Sequence, residues 1–327
     1  MKKKVVSFDD MYLIPGYSEI NTRHSISLTP RNLEKASIEA PIIASCMDTV
    51  VSAEVADIMR QSGGSAVLHR YMTIEDQVKE YLKVNNKQGI FVAIGASGDY
   101  KERFQALYDS GCRMFCIDVA HGYHQNVAEA ISFLKEHDKD ILVMAGNVAD
   151  LKGFNFLADA GADLIRVGVS GGTVCETRNK TGFGLPTLES VIRCAKTDRD
   201  ALIVADGGFR DSGDIVKALA CGADMVMLGS MLSGHKESPG EIINRDNIQY
   251  KKFRGMASAS AQKDWRGYVS VSEGKEILVP LKEQSLSETI DTILRGIKSG
   301  LSYAGCTSLK KFSSKAKKQF KIGRAHV

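Results

Sequence analysis

The sequence has one tryptophan, six prolines and no long apolar stretch among its 327 residues. No apolar run reaches the roughly 18 residues that a membrane-spanning helix requires, so we expect no membrane partner. At the start, a short basic stub gives way to Asp9 and Asp10 before any apolar core, which argues against a signal peptide. The composition, 43% hydrophobic and 25% charged, is typical of a globular protein.

The sequence also lacks the paired cysteines of a disulfide framework or a zinc site. Its seven cysteines are odd in number and scattered, which favours a reduced compartment and predicts a cytoplasmic location. Cys112 and Cys116 are four residues apart, but no second pair of ligands lies nearby in the sequence to complete a zinc site. Six of the seven lie in apolar runs as small core residues. Cys175 is the exception.

Acidic residues are missing from the last part of the chain, where residues 310–327 include seven Lys or Arg. Such a run at a terminus is more often solvated than bound to nucleic acid. We therefore predict a frayed basic tail over 310–327 and no nucleic-acid partner. The closing residues, 322–327, resemble a translated sequencing adapter, and we expect them to be non-native.

Eight nearly continuous apolar runs are present, as expected for parallel strands covered on both faces. They span residues 41–45, 65–69, 90–94, 114–118, 141–146, 164–168, 201–206 and 225–229. Segments with helical spacing follow them at 53–63, 74–84, 101–110, 125–136, 150–160, 188–196, 213–220 and 287–300. This pattern predicts an α/β protein with a (β/α)8 TIM-barrel fold. A doubly wound open sheet is the alternative, but no G-x-G-x-x-G turn follows the first run.

Polar residues close most of these runs, on the face where barrel enzymes build their active sites. They are Ser45, Asp48, Asp118, His121, Asn147, Asp206 and Ser230. Two connections are unusually long: a cysteine loop at about 168–185, and a segment after the eighth run at about 232–286, which we predict to be a flap over the barrel mouth. We predict one catalytic domain over 1–309.

The cysteine loop combines several glycines with Cys175 and with the basic residues Arg178 and Lys180. Glycines let backbone N–H groups turn toward an anion, and nearby positive charge favours a thiolate. The loop therefore suggests a covalent nucleophile beside a phosphate cradle. A glycine-rich surface loop with an incidental thiol is the other interpretation.

A carboxylate and two glycines follow the seventh run, at Asp206, Gly207 and Gly208. Such a carboxylate can accept hydrogen bonds from both hydroxyls of a ribose. The pairs Gly229-Ser230 and Gly172-Thr173 could donate backbone N–H and hydroxyl hydrogen bonds to a phosphate. These residues suggest a nucleoside monophosphate or sugar phosphate across the last three strands. A Walker-type phosphate loop is absent from the sequence.

Motifs spread over nearly the whole chain resemble those of the IMP dehydrogenase / GMP reductase family. The cysteine loop carries the central one, Gly-Thr-Val-Cys-Glu-Thr-Arg at 172–178. The others are Phe-Asp-Asp-Met-Tyr-Leu-Ile-Pro at 8–15, Met-Asp-Thr-Val at 47–50, Ala-Gly-Asn-Val at 145–148, Ala-Asp-Gly-Gly at 205–208, Gly-Glu at 240–241 and Tyr-Lys-Lys-Phe-Arg-Gly-Met at 250–256. As a set these motifs are highly specific.

Three segments, at 118–123, 180–184 and 234–241, resemble the GMP reductase branch of the family. IMP dehydrogenases usually carry regulatory domains after the second strand, whereas here Arg70 leads through one helix to Ile90. The flap from Met256 to Glu273 is short and lacks the Arg-Tyr pair that activates water in the dehydrogenases. The resemblance therefore implies NADPH-dependent reductive deamination of GMP to IMP. The alternatives are an IMP dehydrogenase without the regulatory insert and a phosphate-binding barrel without redox activity.

The resemblance also implies roles for individual residues. Cys175 would attack guanine C2 to form a thioimidate, and Thr177 with Glu273 would relay a proton to the departing ammonia. The expected substrate-binding residues are Gly172, Thr173, Asp206, Gly207, Gly208, Gly229, Ser230, Gly255, Met256, Ala257, Ser272 and Gly274. The expected cofactor-binding residues are Arg23, Arg70, Asp118, Val119, Ala120, Val169, Ser170, Lys180, Ser299 and Ser302.

Two further properties are implied by the resemblance alone. Backbone carbonyls of Ser170, Gly172, Cys175 and Arg178 would hold a potassium ion, and the chain would form a homotetramer. The loop also departs from the family's pattern. The usual Gly-Pro-Gly-Ser before the cysteine is here Ser-Gly-Gly-Thr at 170–173, and Glu176 places an acid next to the nucleophile. An inward-facing Glu176 would disfavour the thiolate.

Overall fold

The architecture is a closed barrel of eight parallel strands, seen in a computed structural model that describes residues 5–33, 36–316 and 320–322. The strands pair in chain order, and the last pairs with the first through Ile42 and Val226. They are β2 (Ile42–Ala44), β3 (Ser65–Leu68), β4 (Ile90–Ile94), β5 (Met114–Asp118), β6 (Leu142–Val148), β7 (Leu164–Val167), β8 (Leu202–Asp206) and β9 (Met225–Leu228). The predicted (β/α)8 barrel is confirmed, and the open-sheet alternative is excluded.

The barrel strands are buried almost along their whole length, which explains their continuous apolar sequence. All five residues of β4, for example, are buried. Side chains pointing into the barrel form a core of their own, among them Val67, Phe91, Met144 and Met227. The barrel is therefore filled, and a ligand can enter only at its mouth.

Most of the helices connect the barrel strands and cover the outside of the barrel. The helices are α1 (Ala53–Gln61), α2 (Ile74–Lys83), α3 (Tyr100–Asp109), α4 (Gln125–His137), α5 (Leu151–Asp159), α6 (Thr177–Thr181), α7 (Thr187–Cys194), α8 (Ser212–Ala220), α9 (Ala259–Arg266), α10 (Leu286–Tyr303) and α11 (Leu309–Ala316). Of these, α6 lies in the cysteine loop and α9 in the flap. Several begin at a side-chain cap, such as Asp150, which accepts a hydrogen bond from the Gly153 N–H. Within the described parts of the chain, no helix is long and apolar enough to cross a membrane.

The predicted flap is an antiparallel sheet carrying one helix. The strands β10 (Ile243–Arg245), β11 (Ile248–Arg254) and β12 (Glu276–Pro280) pair in order, and α9 lies in the connection between the last two. Arg254, at the end of β11, donates to Asp48 Oδ2 from Nε at 3.0 Å and from Nη2 at 2.5 Å. This ion pair fastens the base of the flap to the loop after the first barrel strand.

The structure corrects the prediction of a frayed tail from residue 310. Helix α11 packs against α8, and Leu309, Phe312 and Ala316 are buried. Further on, β13 (Phe320–Ile322) pairs with β1 (Met11–Leu13). The basic residues at 310, 311 and 315 thus lie on an amphipathic helix. The basic stub at residues 2–4 and the chain after 322 lie outside the described residues.

Candidate active site

A cleft at the barrel mouth contains most of the predicted site residues. Its larger cavity, of about 250 Å³, is lined by Arg70, Asp118, Val119, Ala120, Val169, Ser170, Gly172, Cys175, Thr177, Asp206, Gly207, Gly255, Met256, Ala257, Glu273 and Gly274. A smaller cavity, of about 70 Å³, is lined by Thr173, Gly208, Gly229 and Ser230. Gly172, Asp206 and Gly207 line both cavities, which therefore lie side by side; we call the two together the cleft.

Other predicted residues lie outside the lining of this cleft. Ser272 is adjacent to it, where its hydroxyl donates to the Gly274 carbonyl at 2.8 Å. Arg178 and Lys180 belong to α6, on the outer side of the cysteine loop. Arg23 donates to the Ser302 hydroxyl at 3.2 Å on the side of the barrel, where Ser302 and Ser299 belong to α10. A cofactor role for this last group stays a prediction.

The cysteine loop is held close against the neighbouring strand end. Gly168 has a φ of +142°, and a Cβ there would lie 2.3 Å from the Asp206 carbonyl oxygen, so only glycine fits. Farther along the loop, the Cys175 thiol donates to Thr177 Oγ1 at 3.3 Å. The close approach at Gly168 brings the loop next to Asp206, and the contact at Thr177 places a hydroxyl beside the Cys175 thiol.

Cys175 differs from the other cysteines in its exposure. It is partly exposed, whereas the remaining six are buried. Burial raises the pKa of Cys112, Cys116 and Cys194 to about 12 in each case, which makes them unreactive. Among the described residues no cluster of His, Cys, Asp or Glu could hold a metal ion. Cys175 is therefore the cysteine suited to nucleophilic chemistry.

Flap residues 273–275, just before β12, form an extended segment in which Gly274 makes isolated β-bridges to Cys175 and Ser258. We call this segment the flap strand. On one side, the Lys275 N–H donates to the Val174 carbonyl at 2.9 Å, and the Glu176 N–H donates to the Glu273 carbonyl at 2.7 Å. These two bonds pair Gly274 with Cys175. The flap strand is thereby held directly beside Cys175, with Glu273 in the wall of the same cavity.

The other side of this strand is bonded to the segment that contains Met256. The Glu273 N–H donates to the Ala257 carbonyl, and the Gly255 N–H donates to the Lys275 carbonyl, each at 3.1 Å. A Cβ on Gly274 would lie 2.9 Å from the Ser258 backbone nitrogen. Because both edges of the strand are occupied, position 274 tolerates no side chain without a shift of backbone.

A buried arginine pairs with the two carboxylates at the base of the cleft. Arg166, which is 6% exposed, donates to Asp118 Oδ1 at 2.5 Å and to Asp206 Oδ2 at 2.9 Å. Burial alone would raise the pKa of Asp118, but the charges of Arg166 and Arg70 hold that pKa below its usual value. Asp118 is therefore ionised, and the hydrogen bonds from Arg166 fix the orientation of both side chains.

Asp206 keeps one oxygen available for a ligand. Its Oδ2 accepts from Asn147 Nδ2 at 2.7 Å as well as from Arg166 Nε at 3.2 Å. No hydrogen bond from the part of the chain that the structure describes goes to Oδ1. The carboxylate is thus anchored at one oxygen, while the other can accept from a bound hydroxyl.

The Arg70 guanidinium lies against Asp118 at one end of the cleft. Its Nη2 donates to the Asp118 carbonyl at 3.2 Å. Its buried Nε has no hydrogen-bond partner among the described residues but lies 3.9 Å from Asp118 Oδ2, within ion-pair distance. Asp118 is therefore flanked by two arginines, Arg70 and Arg166.

Sequence analysis overlooked Arg166 and did not predict the pairing of the flap with the cysteine loop. A signal for the arginine was present, because a single charge inside the apolar run 164–168 must be paired once that strand is buried. No comparable signal marked the pairing, since residues 273–275 follow no strand pattern.

A comparison with known proteins is consistent with this architecture. Residues 5–325 match the model of the IMP dehydrogenase / GMP reductase domain. A GMP reductase from Vibrio atlanticus is 35% identical over 324 residues, covering 95% of this chain and 93% of the relative.

Two solved structures are also similar. An inosine 5'-monophosphate dehydrogenase from Legionella pneumophila is 39% identical with a TM-score of 0.87, covering 98% of this chain and 99% of that chain. A GMP reductase from Trypanosoma brucei in complex with guanosine 5'-monophosphate has a TM-score of 0.89 at 23% identity. The match covers 99% of this chain and 96% of that chain. The family match over almost the whole length identifies the chain: it belongs to the IMP dehydrogenase / GMP reductase family.

Proposed function

We propose that this protein catalyses the reductive deamination of GMP to IMP and ammonia with NADPH. The observation that carries the proposal is the meeting of Cys175, Thr177 and Glu273 in the wall of one cavity. A thiol, a hydroxyl and a carboxylate in that arrangement can form a covalent adduct and move a proton. The similarity to the Vibrio GMP reductase supports the same activity.

The cleft suits a purine nucleoside monophosphate lying across the last three barrel strands. Asp206 Oδ1 would accept from the ribose hydroxyls. The phosphate would bind in the smaller cavity, which offers backbone N–H groups of Gly208 and Gly229 and the hydroxyl of Ser230. The purine would then lie in the larger cavity, between Met256 and the Gly274 backbone, with its C2 near Cys175.

The chemistry proceeds in two displacements at C2. The Cys175 thiolate forms a bond to C2, and the C2–amino bond breaks once a proton has been delivered to the nitrogen, so that ammonia leaves. Thr177 and Glu273 deliver that proton. When bound, NADPH supplies a hydride to C2. The C–S bond then breaks, which returns the electron pair to Cys175 and leaves IMP. Overall one GMP, one NADPH and one proton give IMP, NADP⁺ and ammonia.

The wall formed by Arg70, Asp118, Val119 and Ala120 would hold the nicotinamide cofactor. These four residues line the larger cavity together with Cys175, which supports this assignment. Lys180, Val169, Ser170 and the group of Arg23, Ser299 and Ser302 remain candidates for its more distant parts. We also propose the homotetramer and the cytoplasmic location.

We also propose a potassium site formed by backbone carbonyls of the cysteine loop. Two of its four expected carbonyls already accept backbone hydrogen bonds: that of Gly172 from Cys175 N–H at 3.1 Å, and that of Arg178 from Gly182 N–H at 3.0 Å. A carbonyl has a second lone pair, so these bonds leave room for a cation. Turnover in potassium-free and potassium-containing buffer tests the site.

The second candidate is an IMP dehydrogenase without regulatory domains, which the 39% identity to the Legionella structure favours. The two reactions change the nicotinamide absorbance in opposite directions. Purified protein should consume NADPH with GMP and release ammonia, and should form no NADH from IMP and NAD⁺. No consumption of NADPH with GMP would overturn the first proposal, and NADH formed from IMP would establish the second.

The third possibility is a phosphate-binding barrel without redox activity. The same assay distinguishes it from both enzymes. Such a protein would bind GMP but would turn over neither pair of substrates. Calorimetric titration with GMP alone shows whether the cleft binds the nucleotide, independently of any turnover.

A further inference from the structure

The acid beside the nucleophile faces the flap. Glu176 Oε1 lies 3.8 Å from Lys275 Nζ, and its Oε2 accepts from Asn179 Nδ2 at 2.7 Å. The backbone N–H of Glu176 also donates to the Glu273 carbonyl at 2.7 Å. One residue of the cysteine loop thus binds the flap strand on both sides of Gly274, the residue that pairs with Cys175.

The charges around Glu176 determine whether the loop and the flap attract each other. The hydrogen bond from Asn179, together with the positive charges of Lys275, Lys180 and Arg178, holds the pKa of Glu176 below its usual value. The carboxylate is therefore ionised at neutral pH. Without that charge, Lys275 on the flap would face the two cations of α6 alone, and like charges repel.

We infer that Glu176 is a positioning residue, which with Lys275 forms a latch that holds the flap strand beside Cys175. The latch raises the fraction of molecules in which Glu273 faces the nucleophile. Because the carboxylate is bonded to Asn179 and paired with Lys275, its charge is compensated beside the thiol. Its effect on turnover rests on the proposed function, whereas the latch itself exists in the ligand-free protein.

Amide hydrogen exchange in the ligand-free protein tests the latch directly. Glu176→Gln keeps an acceptor for Asn179 and removes only the charge, and Lys275→Met removes the partner. Each should speed exchange of the Glu176 and Lys275 amides about two- to fivefold, as expected for a half-exposed ion pair. The double variant should exchange no faster than the faster single variant, and Lys275→Arg should retain the protection.

The flap sheet offers a matched control. Lys252 Nζ lies 3.7 Å from Glu276 Oε1, and the two side chains are 51% and 30% exposed. The exposures in the latch are similar, at 49% for Lys275 and 24% for Glu176. The Lys252–Glu276 pair joins two flap strands and does not reach the cysteine loop. Lys252→Met should therefore leave exchange at Glu176 and Lys275 unchanged.

Turnover supplies the second readout. Glu176→Gln and Lys275→Met should lower kcat, which follows the closed fraction of the flap, by at most about the two- to fivefold range expected for this pair. The dissociation constant of GMP should change by no more than the same factor, because the Gly274 backbone is a proposed purine contact. Three outcomes of the exchange experiment would overturn the latch. They are unchanged exchange rates in both single variants, additive changes of rate in the double variant, and an equal change of rate in Lys252→Met. If exchange changes as expected but GMP is not consumed by the unmodified protein, the latch stands and the proposed function fails.

Discussion

Arg166 binds Asp206 through a single carboxylate oxygen, Oδ2, which accepts from Nε at 3.2 Å and from Nη2 at 2.9 Å. The same guanidinium donates to Asp118 from Nη1. The two acids therefore share one buried cation, and a single side chain orients the carboxylates at both ends of the cleft. The orientation of the proposed ribose ligand thus depends on a residue that lines the cleft floor from a different strand.

Replacing Arg166 with Met should lower the free energy of unfolding by about 3–5 kcal/mol, because two largely buried carboxylates would lose the cation that they share. Arg166→Lys keeps the charge but loses the forked geometry, so it should lower the free energy of unfolding by less than Arg166→Met does. Urea unfolding of the three proteins measures both. A loss below about 1 kcal/mol in Arg166→Met, the range of an exposed pair, would contradict the pairing.

Cys175→Ser should abolish the consumption of NADPH with GMP, a fall in kcat of roughly a thousandfold or more, since the adduct can no longer form. GMP should still bind, because the residues proposed to hold its ribose and phosphate are untouched. In the native protein, limited iodoacetamide should modify Cys175 before the six buried thiols, and GMP should protect it. Retained turnover in the variant would rule out the covalent mechanism.

Glu273→Gln should lower kcat by about 10²–10⁴-fold with little change in GMP affinity, because the amide cannot relay a proton. The matched control is Glu283→Gln, an acid near the end of the flap and away from the cleft, which should leave kcat unchanged. Steady-state kinetics with a GMP titration separates the two constants. An equal loss in both variants would mean that overall charge, and not Glu273, matters.

Gly274→Ala should lower kcat and leave the stability of the barrel unchanged. The added methyl group would lie 2.9 Å from the Ser258 backbone nitrogen, and the backbone shift that relieves this clash would displace the flap strand from its position beside Cys175. Gly267→Ala is a suitable control in the flap, because no atom of the described chain lies within 4 Å of its Cβ position, although its φ of +76° adds some strain. Equal kcat values for the two variants would contradict the two-sided packing of Gly274.

His235 should make stability depend on pH below neutrality. It is fully buried, with Nδ1 3.1 Å from the Leu232 carbonyl and Nε2 2.8 Å from Thr289 Oγ1. The carbonyl can only accept, so Nδ1 carries the proton and Nε2 accepts from the hydroxyl of the neutral ring. Burial lowers the pKa of His235 from its ordinary value of 6.5.

The unfolded chain therefore binds a proton at this residue more tightly than the folded protein does. The contribution of neutral His235 to the free energy of unfolding should be complete above about pH 6.5. It should be lost as the pH falls below that value toward the lowered folded-state pKa. His235→Gln should show a shallower fall between pH 7 and 5 in thermal or urea unfolding. An unchanged slope would show that His235 does not contribute to it.

The barrel could be predicted from the sequence because its signal is repeated eight times. Runs such as 90–94 and 225–229 are apolar throughout, and burial on both faces permits little else. The position of Asp206 and Ser230 at the mouth then followed from the common direction of parallel strands. These features depend on the pattern of apolar residues and on the order of strands and helices, and both can be read from the sequence.

The flap contacts could not be predicted in the same way. Residues 251–254 read Lys-Lys-Phe-Arg, yet Lys251 is 3% exposed and its ammonium donates to the Lys236 carbonyl at 2.9 Å. The tail prediction was wrong for a related reason, because the lysines around Phe312 conceal an apolar stripe on α11. In both places tertiary packing overrides a polar composition.

The smaller cavity has a consequence for the behaviour of the protein in salt. No lysine or arginine is among its described lining residues, so a phosphate there would be held by backbone N–H groups and hydroxyls. Ionic strength screens exposed charge pairs but acts little on short hydrogen bonds to neutral donors. Affinity for a nucleoside monophosphate should therefore change little between dilute and concentrated buffer. A nucleoside diphosphate should gain nothing from its extra charge, because the shape of the cavity, and not its electric field, selects the ligand.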